Sequence, residues 1–128
     1  MMVADTDVLI DYLGGHAPGA IRVAKEMERG RLRTTVISRF ELLSGARDRR
    51  QEARIRVLLG AAPALPLDEQ GADRAAQVRR ALEQAGEMIG MADSLIAGIT
   101  LAHGGTLLTR NQRHFSRVAG LQIEDPAS

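Results

Sequence analysis

The chain has 128 residues, of which 17 are basic, 16 are acidic and none is cysteine, and its formal net charge is +1. This length suits one domain spanning residues 1–128, and the absence of cysteine excludes disulfides and thiolate metal ligands, which leaves oxygen or imidazole for any metal. No segment reaches the ~18 to 20 consecutive apolar residues of a membrane span, so we expect a cytoplasmic protein without a membrane partner.

Short apolar runs and segments with helical periodicity alternate along the chain, separated by glycine, proline and polar residues. The predicted strands are residues 2–4, 32–36, 64–67, 106–109 and 121–123, of which 64–67 is expected at a sheet edge. The predicted helices are residues 8–13, 18–30, 37–45, 49–59, 69–84 and 92–102, with Asp68 as a helix cap and Ala97 and Gly98 allowing close packing.

Strands separated by helices of this length favour an α/β fold with a parallel sheet and helices on both faces. In such sheets, ligands bind at the carboxyl ends of the strands. Four polar residues could converge at those ends: two follow predicted strands, one lies a turn into the helix after the second strand, and one opens the helix of residues 92–102. They are Asp5, Glu41, Asp93 and Asn111.

A cluster of acids at one sheet edge favours a metal ion. Two carboxylates ~4 Å apart repel each other by roughly 4 kcal/mol at an effective dielectric constant of about 20, which protonation or a cation relieves. Mg²⁺ and Mn²⁺ bind carboxylate and water oxygens, and a bound ion would polarise a phosphate and activate water. Hydrolysis of a phosphodiester bond is the reaction that such a site suits.

The same acids also fit purely structural roles. Asp5 or Asp7 suits the cap of the first helix, and Ser38 with Glu41 has the spacing of a capping box. Asp93 suits the first turn of its helix, where the helix dipole favours a negative charge.

Four segments together resemble, in order, the motifs of PIN-domain proteins, especially toxins of the VapC type. They are residues 3–13 (VADTDVLIDYL), 37–45 (ISRFELLSG), 92–97 (ADSLIA) and 108–111 (LTRN). The resemblance implies a three-layer α/β/α sandwich around a short parallel sheet. It also implies a Mg²⁺- or Mn²⁺-dependent endoribonuclease that acts on RNA of the tRNA or rRNA class, a homodimer, and a VapB-type antitoxin whose C-terminal segment blocks the site.

The resemblance also assigns roles to the four polar residues. Asp5 and Asp93 become the principal metal ligands, and Glu41 joins through the metal or its waters and positions the attacking water. Asn111 takes the fourth site position, where some members carry Asp, while Asp7 replaces a small neutral residue. These departures put a second metal in doubt. Asp7 either compensates for Asn111 by supplying a carboxylate or only caps the first helix, and we favour the cap.

Neighbouring polar residues complete the expectations for the site. Thr6 and Thr109 are expected to offer hydroxyls, and Arg110 and Arg113 to contact phosphate. The three histidines lack ligand spacing, so we expect surface or packing roles for them, including His114.

Eleven of the 17 basic residues lie between Arg22 and Arg56. The predominance of arginine fits phosphate binding and a coding bias equally well. Arg47, Arg50 and Arg54 share a helix face that suits RNA phosphates, acidic residues of an antitoxin or plain solvation, and we favour solvation.

Two other functions compete with the nuclease. The sequence Asp5-Thr6-Asp7 imitates the nucleophile and acid of a haloacid-dehalogenase-type phosphohydrolase, but that enzyme needs a later lysine. The only lysine, Lys25, precedes the second strand. A non-catalytic α/β binding module, whose acids only cap helices, remains open.

Overall fold

The computed structural model describes residues 1–128 and consists of five short strands and seven helices. The strands are β1 (Met2–Ala4), β2 (Leu32–Thr35), β3 (Ala64–Leu65), β4 (Thr106–Leu108) and β5 (Gln122–Glu124). The helices are α1 (Thr6–Gly14), α2 (Gly19–Glu28), α3 (Val36–Ser44), α4 (Arg49–Ala61), α5 (Glu69–Gln84), α6 (Met91–His103) and α7 (Gln112–Phe115).

The sheet is parallel throughout, with the strand order β3-β2-β1-β4-β5. Strand β1 lies at the centre, where Val3 pairs with Arg33 on one side and with Leu107 on the other. Strand β3 lies at an edge, as the sequence predicted. The α/β fold with a parallel sheet is therefore confirmed.

Alternating side chains of the central strands divide the core into two halves. Met2 and Ala4 of β1 pack in one apolar cluster, with Leu9, Val23 and residues of α3 and α4, whereas Val3 packs in the other. That second cluster contains residues of α5, α6 and α7. Because successive strand residues face opposite sides, the two clusters show helices on both faces of the sheet, which is the predicted three-layer sandwich.

Local capping explains why the second strand ends one residue earlier than predicted. Thr35 ends β2 and its hydroxyl accepts a hydrogen bond from the Ser38 amide, so Val36 begins α3. The predicted cap at Asp68 is confirmed, because its carboxylate accepts from the Gly71 amide. The segment after β4, predicted as a loop, contains the short helix α7. None of the helices is long and apolar enough to cross a membrane.

Helices α5 and α6 pack closely because Gly98 has no side chain. A Cβ atom at Gly98 would lie 2.5 Å from the backbone nitrogen of Ala75 and 2.6 Å from its Cα. Gly98 is therefore a contact point between two backbones, as the small residues of this helix predicted. The contact fixes α6, which carries Asp93 in its first turn.

We expect Gly98→Ala to lower the free energy of unfolding by about 1 to 3 kcal/mol, because the added methyl group meets backbone that has no room to shift. Urea denaturation measures the change. Gly60→Ala is the matched control, since this helical glycine in α4 has no atom within 4 Å of an added Cβ. The control should raise stability by up to about 1 kcal/mol. Equal effects of both substitutions would contradict the close approach at Gly98.

Candidate active site

The four polar residues predicted from the sequence lie around the carboxyl ends of the central strands. Asp5 directly follows β1, and Asn111 stands three residues after the end of β4. Glu41 lies in α3, which begins directly after β2, and Asp93 lies in the first turn of α6. Hydrogen bonds and mutual charge effects link these positions across the chain, so the structure brings the predicted residues to one region.

Asp5 is the most buried acid of this site, with 6% of its surface exposed. Its Oδ1 accepts a hydrogen bond from the Thr6 amide at 2.8 Å, and its Oδ2 accepts one from the Thr109 hydroxyl at 2.7 Å. Burial, followed by the negative charge of Asp7, raises the pKa of Asp5 to about 7, although both hydrogen bonds act in the opposite direction. The charge of Asp93 also raises this pKa.

Glu41 is oriented by a hydroxyl from the first helix. The Thr6 Oγ1 donates to Glu41 Oε1 at 2.7 Å and lies 2.8 Å from the buried Ser38 Oγ. The predicted capping box of Ser38 and Glu41 is wrong, because Thr35 caps α3 and Ser38 stands in the first turn. Thr6 therefore ties α1 to α3 at the site.

Asp93 faces His114, for which the sequence predicts only a surface or packing role. The Nδ1 of His114 lies 3.7 Å from Asp93 Oδ2 and 2.9 Å from the Asn111 Nδ2. Burial raises the pKa of Asp93, the Glu41 charge adds to this increase, and His114 acts against it. The sequence signal was the spacing of Asn111 and His114, since residues three apart at a helix start come together.

Asp7 does not cap the first helix, contrary to our prediction. Asp5 holds the N-cap position, and Asp7 reaches across to the segment after β4. Its Oδ2 accepts from the Arg110 amide at 3.1 Å and lies 3.4 Å from the Thr109 hydroxyl. Its Oδ1 is buried without a hydrogen-bond partner. Burial raises the pKa of Asp7, and the charge of Arg110 opposes the rise.

The two threonines expected near the site both donate hydrogen bonds to its acids. Thr109 has the larger role, because its hydroxyl donates to Asp5 and accepts from the Asn111 amide at 2.9 Å.

The two arginines expected to contact phosphate differ in whether their charge is paired. The Arg110 Nε forms an ion pair with Asp11 Oδ2 at 2.8 Å, whereas Arg113 is exposed and forms no ion pair.

The residues present fit a hard divalent cation in their chemistry. Burial raises the pKa values of three carboxyl groups, and one buried carboxylate oxygen lacks a partner. A cation would offset both costs, and oxygen donors are what Mg²⁺ and Mn²⁺ prefer. No group of three or more His, Asp or Glu side chains stands close enough together in this structure to hold an ion.

Comparisons with known proteins agree with this architecture. The family model of the PIN domain matches residues 2–121. The tRNA(fMet)-specific endonuclease VapC of Shigella flexneri is 29% identical over 94% of each chain, and ribonuclease VapC10 of Mycobacterium tuberculosis is 32% identical over 90% of this chain and 86% of its own. The structure of VapBC-1 from nontypeable Haemophilus influenzae superposes with a TM-score of 0.85 and 27% identity, covering 99% of this chain and 98% of the other.

The raised pKa of Asp5 predicts how stability depends on pH. In the unfolded chain this carboxyl has its ordinary pKa of 3.8, whereas in the folded chain its pKa is about 7. Between these values the folded state binds more protons, so its stability falls as pH rises. We expect Asp5→Asn to raise the free energy of unfolding by roughly 1 to 3 kcal/mol at pH 8, and by much less at pH 4.

Urea denaturation in EDTA at several pH values measures this difference. The matched control is Asp73→Asn, which changes an exposed aspartate of α5 and should leave the pH profile unaltered. An Asp5→Asn effect of the same size at pH 4 and pH 8 would contradict the role assigned to its charge.

Proposed function

Because the chain belongs to the PIN-domain family, and to its VapC members, we propose that it is a metal-dependent endoribonuclease acting as the toxin of a toxin–antitoxin pair. The observation that carries this proposal is the group of acids near the carboxyl ends of the central strands, of which Asp5 is buried and Asp7, Glu41 and Asp93 are half-buried. Asp5 and Asp93 lie there with raised pKa values, and Glu41 stands beside them. The similarity to ribonuclease VapC10 supports the same reaction.

Asp5 and Asp93 would hold a Mg²⁺ or Mn²⁺ ion directly, and Glu41 would join directly or through bound water. When bound there, such an ion would supply a water of lowered pKa and a positive charge beside the scissile phosphate. The Thr109 hydroxyl keeps Asp5 oriented, and Thr6 holds Glu41 where it can position the attacking water. Asn111 completes the site beside His114, whose Nδ1 lies 2.9 Å from the Asn111 Nδ2 and 3.7 Å from Asp93 Oδ2. Hydrolysis of an RNA phosphodiester bond is the expected outcome.

A structured RNA, of the tRNA or rRNA class, is the proposed substrate. The relative from Shigella flexneri is named as a tRNA(fMet)-specific endonuclease. Only one tyrosine and two phenylalanines occur in this chain, so it lacks the aromatic platforms on which single-strand-binding proteins stack bases. Recognition would depend on charge and on the shape of the RNA instead.

The proposed protein partner is a VapB-type antitoxin. The similarity to VapBC-1 over nearly the full length of both chains supports this pairing. An antitoxin segment that reached the acids would exclude RNA from the same site. Purified toxin must therefore be freed of antitoxin before its activity is assayed.

We expect the purified chain to cut tRNA or rRNA into discrete products with Mg²⁺ or Mn²⁺, and to lose this activity in EDTA. Asp93→Asn should lower the rate of RNA cleavage by more than about 100-fold. The substitution removes the charge of a proposed metal ligand, which costs more than the loss of a residue that only supports a ligand. The measurement is gel analysis of total RNA after timed incubation. Isothermal titration with Mn²⁺ in the absence of RNA should show weaker binding by the same variant.

Asp73→Asn is the control for this experiment, because it makes the same chemical change at an exposed position on α5. It should cut RNA and bind Mn²⁺ as the unsubstituted chain does. If the folded, antitoxin-free protein neither cuts RNA nor binds divalent metal, the acids are structural and the chain is a binding module.

The exposed apolar side chains support a homodimer. Phe40 of α3 is 68% exposed and Met91 at the start of α6 is 65% exposed, and these two helices pack against each other. Large aromatic side chains are often central to protein interfaces. We propose that exposed Phe40 and Met91 form part of the face through which two copies of this chain pair.

Phe40→Ser should weaken dimerisation by about 10-fold or more, because it removes an aromatic anchor. Sedimentation equilibrium over a range of protein concentrations measures the dissociation constant. Val57→Ser is the matched control, since Val57 lies on α4 and is 77% exposed. A chain that stays monomeric at all concentrations, or a larger effect of Val57→Ser, would overturn the assignment of this face.

A further inference from the structure

Three arginines beside the site line one concave surface and carry unneutralised charge. Arg47, Arg50 and Arg54 are exposed, and none of them forms an ion pair. Together with Asp48 and Gln51 they line a cavity of about 360 Å³ that contains no hydrophobic side chain. We call this cavity the arginine groove. It carries a net positive charge, because Asp48 is its only acid.

Local hydrogen bonds hold the arginine groove in shape. Asp48 caps α4 by accepting from the Gln51 amide at 2.8 Å, and the Arg47 amide donates to the Gln51 side chain at 2.7 Å. Arg47 therefore lies in the ordered connection before α4, and not on the helix itself as the sequence spacing suggested. The Arg54 guanidinium donates to the Leu13 carbonyl at 2.6 Å, which anchors this end of the groove on α1.

The arginine groove adjoins a second cavity that reaches Glu41, one acid of the site. This second cavity, of about 380 Å³, is lined by Glu41 and also by three residues of the groove, Arg47, Gln51 and Arg54. The shared residues make the two cavities neighbours. A ligand lying along the arginines would therefore extend toward Glu41.

The acids themselves create the need for such a surface. Asp5, Asp7, Glu41 and Asp93 repel a polyanion unless cations offset their charge. Arg110 is less able to do so, because its guanidinium is paired with Asp11. The unpaired guanidinium groups of the groove are the complementary charges, and their planar forks match phosphate oxygens. The arginine groove itself has no apolar lining, which favours a nucleic-acid backbone there over a protein segment, since protein interfaces have apolar centres. Of these two cavities, only the second contains apolar side chains, which are those of Ile10, Leu13, Leu42 and Ile55.

We infer that Arg47, Arg50 and Arg54 bind consecutive phosphates of the RNA substrate and lead its strand toward Glu41. This inference rests on the proposed nuclease function and adds a backbone-binding surface to it. It also replaces our expectation of a merely solvated face. Phosphate contacts of this kind position the strand without reading its bases.

The test is RNA binding measured in EDTA, which prevents metal-dependent cleavage, with unfractionated tRNA as the probe. Arg47→Gln combined with Arg50→Gln should weaken binding about 10-fold near 0.1 M salt. The slope of log affinity against log salt should become shallower by about 1.4 to 1.8, or ~0.7 to 0.9 for each lost phosphate contact. Arg54 is left unchanged because it also holds α1.

Two further variants serve as controls. Arg79→Gln with Arg80→Gln removes the same charge from exposed positions on α5, and it should leave both affinity and slope close to those of the unsubstituted chain. Arg47→Lys with Arg50→Lys keeps the charge and should restore most of the slope. Unfolding midpoints of all variants should agree, because none of these side chains is buried.

The outcomes separate this inference from the proposed function. If the chain cuts RNA but the Arg47/Arg50 variant binds with an unchanged slope, the inference is overturned and the nuclease stands. The same holds if that variant loses only its affinity for an acidic antitoxin peptide. If the slope falls as expected but no metal promotes cleavage, the groove stands and the nuclease fails.

Discussion

Negative charge buried at the carboxyl ends of β1 and β4 is the constraint on which the rest of the site depends. Asp5 is almost fully buried, and the charges that act on it are those of the carboxylates of Asp7 and Asp93, so its pKa rises to about 7. Protein folds rarely keep such groups together without a compensating cation. The fold holds them by hydrogen bonds from hydroxyls and backbone amides, which leaves the charge itself for a ligand to neutralise.

The supporting hydrogen bonds join elements that are distant in the chain. Thr109, directly after β4, donates to Asp5 directly after β1, and Thr6 in α1 donates to Glu41 in α3. The first bond links the ends of the neighbouring strands β4 and β1, and the second links the helices α1 and α3. The acids are therefore oriented by rigid elements of the sandwich, and not by a mobile loop, which suits chemistry that depends on placing charge accurately.

Charge is distributed unevenly around this site. The acids occupy the strand ends, whereas the arginine groove lies on the adjoining α3–α4 connection and α4. A molecule with a net charge of only +1 can therefore have a strongly acidic site and a basic surface, the arginine groove, next to it. Such separation suits a polyanionic substrate, whose backbone is held by cations while one phosphate meets the acids.

The sequence by itself determined the fold class, the order of the elements and the candidate acids. Apolar periodicity and glycine positions depend on local geometry, so they located nearly every strand and helix, and motif order identified Asp5, Glu41, Asp93 and Asn111. Only the tertiary structure decided which side chains meet. Asp7, predicted as a helix cap, instead accepts a hydrogen bond from the segment after β4, and His114, predicted at the surface or in packing, lies beside Asp93. These contacts join residues far apart in the chain, where local spacing carries no information about distance.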